Sequence, residues 1–377
     1  MPNRYVIATS VLAAVIVAGV WLMRKPAAAS APGTADATST VPRTPWGAPD
    51  LSGIWNGKSS TPLERPAKFA DREFLTDEDI AALDRERGSE RGRDVRAKKG
   101  TEADVEGAYN NIFSTALDAK YVRTKRSSLI VDPPDGKIPA RTPEGQKRRD
   151  LLRRRAGRSP EAAEEALTAF GEGVTKLPYN VDVICSSINT QKGAESCRPV
   201  DNPEDLPGIE RCMGVTVPCI NGNCSMNRIV QGPDSVMIYY EQGHGGGAYR
   251  VIPLNGQPHP PSHLREWMGH STGHWEGDTL VVETTNFTAR TGFQGASENL
   301  RLTERFTRAS ADMILYRITL DDPASFARPW TIEVPLTLED NKKNLIFESA
   351  CYEGNYSLTS MLAGARKLER EQRAKRN

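Results

Sequence analysis

From Asn227 to the LEDNKK stretch the chain repeats one theme, a short run rich in β-branched and aromatic residues closed by a turn signal. NRIVQ ends in Gly-Pro-Asp, YRVIP in Leu-Asn-Gly, GHWE in Gly-Asp and RFTR in Ala-Ser-Ala-Asp. Connections this short join antiparallel neighbours and leave no room for the crossover helix that a parallel pair requires. The pattern predicts an antiparallel meander of about eight or nine strands. Its phase is plainest in WTIEVPLTL, where Trp330, Ile332, Val334, Leu336 and Leu338 fall on one face, opposite Thr331, Glu333 and Thr337. Left open, a meander of this length would expose unpaired edges, so closure into a barrel or stacking as a sandwich is expected.

Ahead of the meander, TPWGAPDLSGIWNG punctuates one more short strand, centred on Ile54 and Trp55, with Pro and Gly. LTDEDIAALDRERG reads as a helix start, with Thr76 as N-cap, Asp79 at the acidic third position, and Leu75 and Ile80 placed as a hydrophobic staple. Residues 84–106 are densely charged with few apolar anchors and read as a solvated helix or excursion. SSLIVDPPDGKIPA predicts a strand, a Pro-Pro-Asp-Gly turn and a second short strand. PEGQKRRDLLRRRAGR predicts a basic helix, and SPEAAEEALTAFGEG an acidic one with Ser159 as N-cap and Pro160 in the first turn. Mutual pairing or separate solvated faces account for these charges without an anion site at Arg153 to Arg155. LTSMLAGARKLEREQRAKRN predicts a terminal helix with a basic end.

The first residues place Arg4 before an uncharged, mostly apolar run from Tyr5 to Met23, closed by Arg24 and Lys25. The run is long for the apolar part of a signal peptide and just long enough to span a bilayer, while Ala27 to Ala31 offer a cleavage site. Residues 1–31 therefore read as a signal peptide or an N-terminal membrane anchor, and 32–43 as a flexible spacer. Residues 44–365 read as one β domain with a helical insertion at about 70–180, and 366–377 as a basic tail. The chain is expected in the periplasm, free or held at the inner membrane through its N-terminal segment alone. Cys185, Cys197, Cys212, Cys219, Cys224 and Cys351 fit an oxidising compartment and are disulfide candidates, with fifteen pairings open. A metal reading of them lacks any C-x-x-C pair. A net charge of +1 and a basic run without interleaved aromatics argue against a nucleic-acid partner.

LSGIWNG resembles the Gly-x-Trp signature in the first strand of lipocalin-like barrels, here Gly53 and Trp55. That resemblance, with the meander, implies a mostly β chain: an antiparallel lipocalin-like barrel with an N-terminal helical or irregular region and a C-terminal helix. The set TPWGAPDLSGIW, SLIVDPPDGKIP, GHWEGDTLVVETTNF, SENLRLTERF and CYEGNYSL resembles a large, mostly uncharacterised family of exported bacterial proteins across nearly all of residues 44–365. The chain departs from that pattern in HGGGAYRVIP, where glycines follow a histidine commonly followed by an acidic residue. It departs again at His274, where arginine is more usual.

Five histidines, at 244, 259, 263, 270 and 274, crowd into one stretch. In HPPSH the ligand-like spacing of His259 and His263 is broken by two prolines, and HSTGH carries Gly273 ahead of a strand, so loop histidines are expected rather than a metal site. No metal or cofactor is implied. GHWEGDTLVVETTNF reads as a hairpin with Glu276-Gly277-Asp278 as its turn and Leu280 to Thr285 as a strand.

The candidates for acid-base chemistry are His244 and Glu241 at a strand end, with Arg250 beyond the glycine loop. Trp55, Trp267, His274, Trp275 and Trp330 are the candidates for lining a site for a small apolar or aromatic molecule. The leading reading is an exported barrel that binds or handles a small, partly apolar molecule at its mouth. The alternatives are an enzyme of the lyase, isomerase or hydrolase kind using His244 with Glu241 or Arg250, and a disulfide-stapled envelope interaction protein.

Overall fold

The alternating runs of the second half form consecutive strands, and the Gly-x-Trp stretch joins them. A computed structural model of the protein describes residues 41–89, 122, 124–155, 203, 211–220, 226–241, 247–289, 293–343, 346 and 350–376. The strands are β1 (Gly53–Asn56), β2 (Ile130–Asp132), β3 (Met226–Gln231), β4 (Ser235–Tyr240), β5 (Ala248–Pro253), β6 (His270–Glu276), β7 (Thr279–Thr285), β8 (Arg301–Arg308), β9 (Met313–Asp321) and β10 (Trp330–Leu338). The helices are α1 (Asp77–Ser89), α2 (Pro143–Arg155) and α3 (Ser357–Arg376).

Nine strands follow the path β5-β4-β3-β1-β10-β9-β8-β7-β6, while β2 pairs with β10 beside it. Every neighbouring pair on the path is antiparallel. With an odd number of alternating strands, the outermost two, β5 and β6, run in the same direction. They share no ladder, and the sheet is a nearly closed barrel. At this seam Gly273 lets the strands approach: a Cβ there would stand 2.9 Å from both Ile252 Cγ2 and Leu254 Cδ2.

Period-2 alternation decides what fills the barrel. On β10, Trp330, Ile332, Val334 and Leu336 are buried with Leu338 packed against the core, as the sequence predicts. One end is closed by the segment leading into β1. Leu51 and Trp55 are buried, the Trp55 indole N–H donates to the Leu51 carbonyl at 2.8 Å, and the Arg308 guanidinium stacks 4.7 Å from the Trp55 ring. Arg308 donates to the carbonyls of Asp50, Ser310 and Ala311. The Gln231 amide accepts from Leu51 N at 2.7 Å and donates to Pro49 O at 3.0 Å.

The capping box of α1 forms as its sequence dictates, with Asp79 N–H donating to Thr76 Oγ1 at 3.1 Å and Thr76 N–H to the Asp79 carboxylate at 3.0 Å. These bonds, together with Arg72, hold the Asp79 carboxyl below its ordinary value. The expected helix at 143 also forms, capped by Thr142, whose hydroxyl accepts from Gly145 N–H at 3.0 Å. Its basic face is not wholly solvated: Arg149 is buried, and Arg148 donates to Ala324 O at 2.7 Å and Ser325 Oγ at 2.8 Å. The second strand expected after Pro-Pro-Asp-Gly does not form. Pro139 brings no N–H to a ladder, and Ile138 N–H donates to the Glu64 carboxylate at 3.0 Å instead.

The terminal helix forms as α3. Among the described residues no helix is long and apolar enough to cross a membrane. The expected N-terminal signal or anchor, the acidic helix after Ser159 and most of the NLIFES run lie outside the described residues.

Candidate functional site

On β8 the inward positions are Leu302, Glu304, Phe306 and Arg308, so the alternation that buries two apolar residues also carries a carboxylate into the barrel. Glu304 is fully buried and meets Arg250, which points inward from β5 in phase with Ile252. The pair is bidentate, with both guanidinium nitrogens 2.6 Å from the carboxylate oxygens. Tyr316 of β9 donates its hydroxyl to the same carboxylate. Arg250 also reaches Ser271 Oγ at 3.3 Å on β6 and Thr284 Oγ1 at 3.4 Å on β7, so one side chain bridges the seam that no ladder crosses.

Burial alone would lower the Arg250 pKa, but the Glu304 carboxylate together with Tyr240 and Tyr316 outweighs it and the net direction is up. Burial pushes the Tyr240 and Tyr316 phenols above the ordinary tyrosine value, so both remain protonated at neutral pH. The Arg250–Glu304 pair is self-neutralised, with Arg250 Nε buried and without a hydrogen bond among the described residues.

Against it lies a cavity of about 20 Å³, lined by Asn227, Ile229, Ile238, Tyr240, Phe306 and Tyr316, with Gly57, Val334 and Leu336 completing its strand walls. That is room for little more than one water, by the measure of about 10–15 Å³ each. Two polar atoms on its wall are buried without a partner among the described residues: the side-chain carbonyl of Asn227 and the hydroxyl of Tyr240. The Arg250 guanidinium lies 5.8 Å from the Tyr240 ring centroid, and its interaction with the phenol opposes the upward push of burial on the Tyr240 pKa. Asn227 and Tyr240 face each other directly in the β3–β4 register.

Cys219 and Ile220 complete the lining. They end the segment 211–220, whose Val215, Val217 and Cys219 are buried in the same core as the strands. The segment is stapled by the Cys212–Cys351 disulfide, which joins positions 139 residues apart, and Tyr352 donates to the Cys212 carbonyl at 3.0 Å. Cys219 is disulfide-bonded as well. These bonds are compatible with an oxidising, exported location.

The residues picked out by sequence fall in different places. Arg250 is at the centre of the polar cluster, but its partner is Glu304. Glu241 is buried just past β4, with its backbone N–H donating to Met226 O at 3.1 Å, and His244 lies outside the described residues. No tryptophan lines the cavity. Trp55 stands opposite the cavity-lining Asn227 in the β1–β3 register with its indole turned to Leu51, and Trp330 is buried edge-on to Phe326 at 5.6 Å. Trp275 packs partly buried on the core, and Trp267 is half-buried with its indole N–H unpartnered.

His274 is exposed on the hairpin, 3.2 Å from Glu276, which Arg305 and then His274 hold below the ordinary carboxylate range. His259 and His270 meet Nδ1 to Nδ1 at 2.9 Å with rings nearly perpendicular. Among the described residues no group of three metal-ligating side chains converges.

Sequence reading missed Glu304, Asn227, Tyr240 and Tyr316. A signal for the first was present: Glu304 is a carboxylate in phase with Leu302 and Phe306 on a strand whose inward face is otherwise apolar at its centre. Neither a scan of protein-family models nor searches of curated proteins and of solved structures finds a match to this chain.

Proposed function

We propose that this is an exported barrel protein, kin to the uncharacterised exported family its motifs resemble, that binds a small, partly apolar molecule at the capped end of the barrel. The observation that carries the reading is the apolar cavity beneath Cys219 and Ile220, which no strand residue fills and whose roof is a disulfide-stapled segment rather than a ladder. A cavity of about 20 Å³ admits only a small group of a ligand. The rest of the molecule lies at the mouth, against the cap.

The arrangement speaks for binding ahead of acid-base catalysis. Arg250 is locked by two short bonds to Glu304, and both phenols are held protonated by burial, so neither is poised to exchange a proton near neutral pH.

The test is a small-fragment screen of the intact protein by NMR, repeated on Ile238→Phe, which fills the cavity from its wall. Fragments that shift resonances of the cavity residues in the parent and not in the filled variant support the reading. A screen with no such fragments, or fragments indifferent to the filling, overturns it.

A further inference from the structure

Resting on that binding reading, we infer the chemical class of the ligand's buried end: an uncharged group that donates a hydrogen bond, such as a hydroxyl, on an aliphatic body. Of the polar side chains that line the cavity, the Tyr316 hydroxyl already donates to Glu304. Arg250 and Glu304 neutralise each other through two 2.6 Å bonds, so the pocket offers no free charge to meet an ionic head. A charged group entering among Ile229, Ile238, Phe306, Val334 and Leu336 would exchange its hydration for no more than the neutral groups of Asn227 and Tyr240.

What remains unpartnered is an acceptor, the Asn227 carbonyl, and a phenol held protonated by burial, the Tyr240 hydroxyl, both more than nine-tenths buried. They sit directly opposite each other across the β3–β4 ladder, where Cβ atoms lie about 4.5–5.5 Å apart. Both line the cavity, so a hydroxyl placed there meets an acceptor in Asn227 and a donor in Tyr240. A methyl in the same place would leave both groups bare.

Four probes that share one isobutyl body separate the possibilities: isobutanol, isopentane, isobutylammonium and isovalerate. Each is titrated into the intact, isotope-labelled protein while the side-chain amide of Asn227 is followed by NMR. Isobutanol is expected to bind about ten-fold more tightly than either ion. Tyr240→Phe is expected to weaken isobutanol about three- to ten-fold and leave isopentane unchanged. Asn227→Leu gives an independent variant should the phenylalanine form fold poorly, with the same expected loss.

Binding of isovalerate or isobutylammonium as tight as that of the alcohol overturns the uncharged class. Isopentane binding as tightly as isobutanol overturns the hydrogen-bonding head while leaving the binding reading standing. If none of the four moves the Asn227 amide, the cavity is a site for water and both readings fall together.

Discussion

Two neighbouring regions of the barrel interior handle buried polarity in opposite ways. Where the chain enters β1, the Trp55 indole, the Gln231 amide and the Arg308 guanidinium all find partners, mostly carbonyls of the closing segment itself. At the cavity beneath Cys219 and Ile220, one strand over from Trp55, the Asn227 carbonyl and the Tyr240 hydroxyl make no hydrogen bond among the described residues, although both are as deeply buried. An unmet polar atom in an apolar setting costs free energy, on the order of 1–3 kcal/mol. The segment entering β1 is a finished plug, whereas the cavity beside it keeps hydrogen-bonding capacity in reserve. Arg250 and Glu304 set the electrostatics of the interior and tie the seam.

The largest effect is expected from that shared centre. Glu304→Leu leaves the Arg250 charge buried and unpaired and should cost about 3–5 kcal/mol in urea unfolding. The double variant Arg250→Met with Glu304→Leu removes both charges and should recover most of the loss. A double variant as unstable as the single one would mean that packing, not the stranded charge, sets the cost.

Next comes the roof: Cys351→Ser opens a loop of 139 residues, and about 2–5 kcal/mol of stability should go with it. Ligand exchange at the cavity should quicken in the same variant, read by NMR line shape, while the Leu51 amide, tied to Gln231, stays protected in hydrogen exchange.

A direct comparison of the two regions follows. Trp55→Phe removes a satisfied indole and part of a packed ring, for about 1–3 kcal/mol. Tyr240→Phe removes a hydroxyl with nothing to lose, and should change stability by less than about 1 kcal/mol in either direction. Equal losses at the two positions would contradict the division drawn above.

The smallest effect is pH dependence at the seam connection. Burial, then the neighbouring His270 and Arg301, lowers the His259 pKa from 6.5, with Glu283 opposing them. Because the folded pKa lies below the unfolded one, the neutral form favours folding. That contribution is full above about pH 6.5 and is lost as pH falls through the depressed folded value. His259→Gln should flatten the unfolding midpoint between pH 7.5 and 5 relative to the parent, and a parent already flat there would sink the assignment.

Much of the fold was legible because period-2 patterning and turn chemistry are local. The hairpin around Gly277, the phase of β10, the capping box at Thr76 and Asp79, and the strand at Gly53 and Trp55 could all be read from neighbouring residues. The failure after Pro-Pro-Asp-Gly has a tertiary cause, since the Glu64 carboxylate, far away in sequence, takes the N–H that a second strand would have used.

The candidate site was legible only in Arg250. Its expected companions, Glu241 and His244, are near in sequence, whereas the buried partner Glu304 stands 54 residues on.

The sequence by itself determined the period, and with it which residues could share a face: Glu304 with Leu302 and Phe306, Arg250 with Ile252. Alternation names two faces without saying which one turns inward, and it says nothing about which strands meet. Only the tertiary structure brought β5 to β6 and turned Arg250 and Glu304 toward each other in the interior. It also left Asn227 and Tyr240 facing a cavity, because burial and pairing depend on contacts that local pattern does not encode.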